Sequence, residues 1–341
     1  ITQGRVPSYL GSSFAFIGVV IAATGYAGGG PNANLPVALG GIVACGLAYT
    51  LVGFAVMASG TTWIERLMPP VVTGAVVAVI GLNLAPIAVK GASSTPFDAW
   101  MAVMTILCVG GIAVFTRGLV QRLLILVGLA LACVIYGILA NGMGLGKPIA
   151  LAGIAAAPWI GAPRFAAPVF DGNAIALIAP VAVILVAENL GHLKAVGAMT
   201  GRNLDPMIGR AFVGDGVATM IAGSVGGTGV TTYAENIGVM AVTKIYSTLV
   251  FVVAAAIAVV LGFSPKFGAL IQAIPAAVLG GVSIVVFGLI AAAAARIWVD
   301  NRVDFADNRN LIVAAVTLVL GAGDFTLRLA GFTLGGIGTA T

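Results

Sequence analysis

From Leu35 to Ala58 the chain reads LPVALGGIVACGLAYTLVGFAVMA, a run without one charged side chain, and similar stretches recur along the sequence. At about 1.5 Å per helical residue such a run crosses the ~30 Å hydrocarbon core of a bilayer. Lipid offers peptide groups no hydrogen-bond partners, so each stretch must be helical, or its irregular parts must be enclosed in protein. Composition agrees: 60% of the 341 residues are hydrophobic and 8% are charged, with a mean hydropathy of +1.13. That is far from the quarter of charged residues usual in soluble domains. The chain reads as an all-α polytopic membrane protein.

Apolar windows place spans at 7–26, 35–58, 70–89, 98–115, 123–140, 174–196, 206–223, 247–262, 276–295 and 310–321, with a broken element between 215 and 244. Short amphipathic pieces at 61–68 and 265–274 suit interfacial or linking helices. A Gly-, Ala- and Pro-rich loop joins 141 to 173. The chain opens at Ile1 without methionine and stops in GFTLGGIGTAT, where a further span begins, so the expectation is a fragment at both ends. Alternating the spans puts ten basic residues, from Arg5 to Arg309, on the side of Ile1, against Lys90, Lys147, Arg164, Lys266 and Arg328 on the other. By the positive-inside rule Ile1 starts in the cytoplasm; the expected location is the inner, plasma membrane. The net charge of +5 thus marks orientation, not a nucleic-acid surface. Cys45, Cys108 and Cys133 fall in apolar runs without metal or disulfide spacing and read as packing residues.

The broken element is DGVATMIAGSVGGTGVTTYAENIGVMAVTK, from Asp215 to Lys244. Gly226, Gly227 and Gly229 release the backbone from helical angles, and Val230, Thr231 and Thr232 suit a short extended piece. A helix restarts near Tyr233, which puts Glu235 in the first turn of a half-helix at membrane depth. Its start carries amides able to donate to a ligand carbonyl.

Ser12-Ser13-Phe14-Ala15 echoes Thr231-Thr232-Tyr233-Ala234, each ahead of a helix, and Met68-Pro69 with Gly74 echoes Ile274-Pro275 with Gly280. Six spans separate the first pair, so the second copy enters the membrane in the opposite sense. The expectation is an inverted repeat of secondary-transporter type, with substrate held where two broken helices meet.

Glu188 lies deep in ALIAPVAVILVAENLGHL, and His192 follows one turn later on the same face. An isolated charge at the bilayer centre costs about 2.5 to 3.5 kcal/mol on insertion scales, so this carboxylate needs a partner, a proton or a polar cavity. A buried pair that only fixes helix packing is the bland alternative. His192 is the single histidine, with an unperturbed pKa near 6.5 that suits a proton relay. One histidine with two glutamates is a poor zinc set. Asp215, Asn83 and Lys194 read as packing, hydrogen-bonding or snorkelling residues. Tyr233 either closes over a ligand or packs. The run Asn141 to Pro148 is no P-loop, because the first glycine and the Ser/Thr are missing. Glu188 and Glu235, with amides around Phe14 and Ala15 facing those of the second half-helix, would suit a small flat molecule with alternating N–H and C=O groups, such as a nucleobase.

The runs VPSYLGSSFAFI from Val6, ENLGHL from Glu188 and TTYAENIGV from Thr231, closed by Thr243-Lys244, resemble the nucleobase:cation symporter (nucleobase–ascorbate transporter) family over nearly the whole chain. Within it the likeness is greatest to bacterial uracil permeases. The xanthine and urate carriers typically have Gln at the position of Glu235 and Asp at that of His192. The resemblance implies fourteen spans in two inverted repeats of seven, with the first two missing here and the last one cut. It implies a core domain of 1–60 and 174–262, a gate domain of 61–140 and 263–341, and a connecting loop at 141–173. It further implies that Glu188 and Glu235 bind uracil, with the amides of Phe14 and Ala234 and with Tyr233 at the base, while His192 and Glu188 couple protons. Ala234 stands where uracil permeases commonly carry Gly and adds a methyl group to the pocket.

The expectation is therefore a proton-coupled importer of uracil or a related pyrimidine, not an enzyme, needing no cofactor beyond protons as the coupling ion. Its partners would be the nucleobase, protons and the lipid bilayer, with a homodimer as one possible assembly. A purine carrier of the same family and an anion transporter on a similar scaffold are the alternatives. Two glutamates at the site would repel an anion. An intramembrane enzyme would need a nucleophile and base, or an H-E-x-x-H set that one histidine cannot supply.

Overall fold

The structure, a computed structural model, describes residues 1–26, 32–323, 327–329 and 332–334. The side chains of Ala234, Glu235, Gly238, Ala241 and Val242, and all those after residue 323, lie outside the described set. The chain is mostly helical and forms two compact units, Ile1–Asn83 with Arg164–Val253 and Ala291–Thr341, and Leu84–Pro163 with Ala254–Ile290.

In the first unit, β1 (Leu10–Ser12) leads into α1 (Ala15–Thr24), then α2 (Leu35–Ser59), the short α3 (Thr62–Leu67) and the start of α4 (Pro70–Ala92). Further along come α9 (Gly172–Ile178), α10 (Val181–Thr200), α11 (Asp205–Val225), β2 (Val230–Thr232), α12 (Ala234–Thr243) and the first part of α13 (Thr248–Gly262). The end of α15 (Ala276–Asp300), then α16 (Asn308–Ala322), β3 (Leu327–Leu329) and β4 (Phe332–Leu334) complete it.

Its central pair is α2 against α11, packed antiparallel along a seam of glycines spaced seven apart. A Cβ on Gly46 would sit 2.7 Å from the Gly216 carbonyl, one on Gly53 2.7 Å from the Val213 nitrogen, and one on Gly209 3.0 Å from the Gly53 carbonyl. Helix association in a membrane lacks a hydrophobic drive, and small residues let backbones approach closely enough for dispersion to hold them. Tyr49, Phe16, Phe212, Leu39 and Leu185 are fully buried in this unit.

The second unit holds α5 (Pro96–Phe115), α6 (Leu119–Arg122), α7 (Leu124–Gly137), α8 (Leu151–Ala156), α14 (Pro265–Gln272) and the remainders of α4, α13 and α15. Gly128 of α7 meets Val109 of α5, and Met101, Ala132, Tyr136, Ala140, Ala277 and Val278 form its core. After α7 a π turn covers Ile138–Gly142, and Asn141 holds Ile149 through both its amide groups, at 2.8 and 3.1 Å.

Among the described residues six helices are long and apolar enough to cross a membrane, or seven if the pair α13 and α14, bent by 85°, counts as one. The protein is thus multi-pass. Several expected spans differ in detail. The one at 7–26 is a strand followed by a half-helix, whereas the one at 174–196 lies within a single candidate span, Gly172–Thr200, in which α9 and α10 are divided at Ala179-Pro180, where proline removes a helical donor. The expected span at 206–223 is the helix α11, whose Arg210, Asp215 and glycines keep it out of the six. The 141–173 loop contains α8. The apolar end, read as a further span, falls largely outside the described residues, and within it β3 and β4 pair antiparallel.

Candidate functional site

β1 and β2, separated by more than 200 residues, pair antiparallel with Leu10 opposite Thr232, Gly11 opposite Thr231 and Ser12 opposite Val230. The ladder continues through Ser13 N to Gly229 O at 3.0 Å and Tyr233 N to Tyr9 O at 3.1 Å. Each strand gives its partner the hydrogen bonds that lipid would not. Side chains add to this: the Ser8 hydroxyl donates to Thr232 Oγ1 at 3.1 Å, and Val230 N donates to Thr219 Oγ1 at 3.1 Å.

From this ladder two half-helices begin. α1 follows Phe14 and ends at Gly25, whose φ of 62° closes it; α12 follows Tyr233 and ends at Lys244, also left-handed at φ 57°. Neither Phe14 nor Tyr233 caps its helix with a side chain. Tyr233 is instead tied to β1. Its hydroxyl donates to the Ser12 carbonyl at 3.0 Å and accepts from the Ser12 hydroxyl at 3.0 Å, while its ring covers Gly11. A Cβ on Gly11 would lie 2.3 Å from that ring, so a larger residue there would have to displace the Tyr233 side chain. In this structure Tyr233 therefore packs against the strand.

α10 packs against α1, α12 and β2 and carries the expected pair. Glu188 and His192 are both half-buried on it, one turn apart. The His192 ring lies beside the Thr232 backbone at the strand ladder; its Nδ1 is buried without a hydrogen-bond partner among the described residues. Ala234 and Glu235 are the first two residues of α12, and their side chains lie outside the described residues. Asn83 is on α4.

Sequence reasoning passed over Asn189 and Tyr49, which organise the buried polar centre. The Asn189 amide donates to Tyr49 Oη at 2.8 Å and to the carboxylate of Asp215, and the Tyr49 hydroxyl donates to Leu185 O at 3.4 Å. All three polar side chains are buried, and Glu188 is an electrostatic neighbour of Asp215 and Tyr49. The available signal was an amide inside the apolar run of α10. Lys194, at the other end of α10, pairs with Glu65 of α3 at 2.5 Å with both side chains about half exposed.

Two half-helices thus start from paired strands beside the helix that carries Glu188 and His192. The Xan_ur_permease model, of the permease family, matches residues 1–329. The chain is 73% identical over its whole length to the Escherichia coli K12 protein named "Putative pyrimidine permease RutG", covering 77% of that protein. It is 40% identical to the uracil permease of Bacillus caldolyticus, over 97% of this chain and 77% of the relative. Among solved structures, the transmembrane domain of the cyanobacterial bicarbonate transporter BicA shares the fold, with a TM-score of 0.63 over 94% of this chain and 84% of that one, at 18% identity. A match across nearly the full chain, with relatives far above the level at which fold alone is shared, makes this protein a transporter, not an enzyme, and a member of the xanthine–uracil permease (nucleobase–ascorbate transporter) family.

Proposed function

We propose that the protein imports uracil or a related pyrimidine nucleobase across the cytoplasmic membrane in symport with protons. The observation that carries this reading is the β1–β2 ladder, with two half-helix starts and the Glu188–His192 helix beside it. A planar base needs acceptors for its ring N–H groups and donors for its carbonyls. Glu188 and Glu235 are the acceptors in this reading, and the backbone amides of Phe14 and Ala234 are the donors. Tyr233 forms part of the wall. The names of the relatives, pyrimidine and uracil permeases, favour the pyrimidine class. The likeness to a bicarbonate transporter concerns fold alone, and two acids at the site disfavour an anion.

The inverted repeat belongs to the same proposal. The echoing segments Ser12–Ala15 and Thr231–Ala234 both mark the passage from strand to half-helix, and the two strands pair with each other, as a local two-fold axis between copies requires. In this reading residues 1–60 and 174–262 form a moving core, residues 61–140 and 263–341 a gate, and 141–173 their connection. Ile1 faces the cytoplasm and the chain assembles as a homodimer. Protons enter through Glu188 and His192, with Asp215 close by.

The test is uptake of radiolabelled uracil by cells expressing the full-length protein, in competition with unlabelled pyrimidines and purines. Glu188→Gln and Glu235→Gln should each reduce uptake to background while membrane levels stay normal, because an amide presents a donor where the base needs an acceptor. Near-normal uptake in either variant removes that residue from the site. Competition by xanthine but not by uracil or thymine would transfer the protein to the purine carriers.

A further inference from the structure

The bend between α13 and α14 frames a groove lined by none of the residues of the proposed substrate site. Residues of the 141–173 loop lie along the bend and are joined to it by Gly161 N to Phe263 O at 2.9 Å and Lys266 N to Pro158 O at 3.0 Å. Between them is a groove of about 880 Å³ whose walls are almost wholly apolar, with Ile154, Val260, Phe263, Phe267 and Leu270 among them. At its edge Trp159 is 74% exposed and Ile160 85% exposed. The Lys266 ammonium stands 4.8 Å from the centre of the Trp159 ring and donates to the Ala155 carbonyl at 3.4 Å.

Two features decide what fits. An ammonium has three donors, and here one meets a protein carbonyl; among the described residues no carboxylate pairs with Lys266. The site therefore offers an unmatched positive charge at the mouth of an apolar channel. Tryptophan and lysine side by side are also what a chain presents at the level between headgroups and acyl chains. A purely apolar occupant would leave the charge unanswered. A second copy applying the same face would bring a second Lys266 to the first.

We propose that this groove holds one anionic phospholipid, its phosphate on Lys266 Nζ and an acyl chain laid along Val260, Phe263, Phe267 and Leu270. The lipid fills the groove framed by the 85° bend. Cation and aromatic ring hold the headgroup at the interface, and the channel holds the chain.

Native mass spectrometry of the purified full-length protein, titrated with phosphatidylglycerol, phosphatidylcholine or inorganic phosphate, tests the proposal. One phosphatidylglycerol should stay bound per chain, and Lys266→Gln should weaken it about tenfold or more, the size of a lost charge-assisted contact. Lys266→Arg should retain it, and Leu270→Trp, which fills the channel, should displace it. Inorganic phosphate should not compete, because it has no chain. Equal retention by wild type and Lys266→Gln, equal binding of phosphatidylcholine, or displacement by phosphate alone would each overturn the proposal. So would a change in subunit number with unchanged lipid in Leu270→Trp, which would assign the groove to a second copy of the chain.

Discussion

An amide nitrogen can donate two hydrogen bonds, and Asn189 directs both across helix boundaries, to Tyr49 on α2 and to Asp215 on α11. Replacing Asn189 by Leu strands both partners in the interior, at a cost of about 1 to 3 kcal/mol. The expected outcome is a lower thermal unfolding midpoint in detergent, partly recovered by adding Asp215→Leu, since removing both partners of a buried bond costs less than removing one. A double variant no more stable than Asn189→Leu would mean that Asp215 has another essential partner. A second residue-scale case lies at Glu65, outside the spans. The hydrogen bond and charge of Lys194 hold its carboxyl below the usual range. A depressed carboxyl contributes stability above its unfolded value and loses it as pH falls through the folded one. The stability gap between wild type and Lys194→Gln should therefore be present near pH 7 and close below the ordinary glutamate value of about 4.3. Both side chains are half exposed, so the gap should be small and should shrink with added salt. A gap that persists at low pH would show that Lys194 acts through packing.

Among the elements, the α2–α11 seam makes the sharpest demand. A Cβ on Gly216 would lie 2.3 Å from Thr50 Oγ1 and 2.7 Å from the Gly46 carbonyl, with backbone that cannot step aside. Gly216→Leu should force the helices apart, costing at least the ~1 to 3 kcal/mol of overpacking, and should reduce folded yield on size-exclusion chromatography; normal yield and melting would refute the seam. The seven-residue spacing of these glycines is visible in the sequence, but which helix answers which is not, because that pairing is made by tertiary contact alone. The β2 break was readable, since Gly226, Gly227 and Gly229 precede three β-branched or branched-hydroxyl residues, and β2 indeed begins at Val230. β1 has no comparable glycine cluster and shows only through its echo of β2. Pro180 signalled the α9–α10 break, yet a window that averages hydropathy passes over one proline. Glu188 and His192 stood out by charge and spacing. Asn189 did not, since its importance depends on which way it points around α10, about 100° from Glu188.

For the molecule as a whole, the proposed proton coupling requires that charge at the site change together with substrate occupancy and access. His192 lies beside the Thr232 backbone of the strand ladder, so it is placed to link the α10 carboxyl to the proposed substrate site. His192→Gln should weaken uracil accumulation driven by an imposed proton gradient more than it weakens equilibrium binding of the base. Both are measurable on the same proteoliposomes. Accumulation that stays equal to wild type would make His192 structural and move the coupling to Glu188, Glu235 or Asp215.

The β1–β2 ladder also sets a clock. Ser8 and its partner Thr232 are 224 residues apart. At a synthesis rate of about 5 to 20 residues per second, the first strand leaves the ribosome roughly 11 to 45 s before its partner exists. Throughout that interval the peptide groups of Leu10 to Ser12 have no ladder, and hydrocarbon will not accept them bare. The first segment must therefore wait in the translocon, at the interface or beside other nascent helices, and the proposed substrate site can form only when the second broken element arrives. A ribosome stalled before Val230 should accordingly leave residues near β1 accessible to water-soluble thiol reagents through introduced cysteines, and one released after Lys244 should leave them protected.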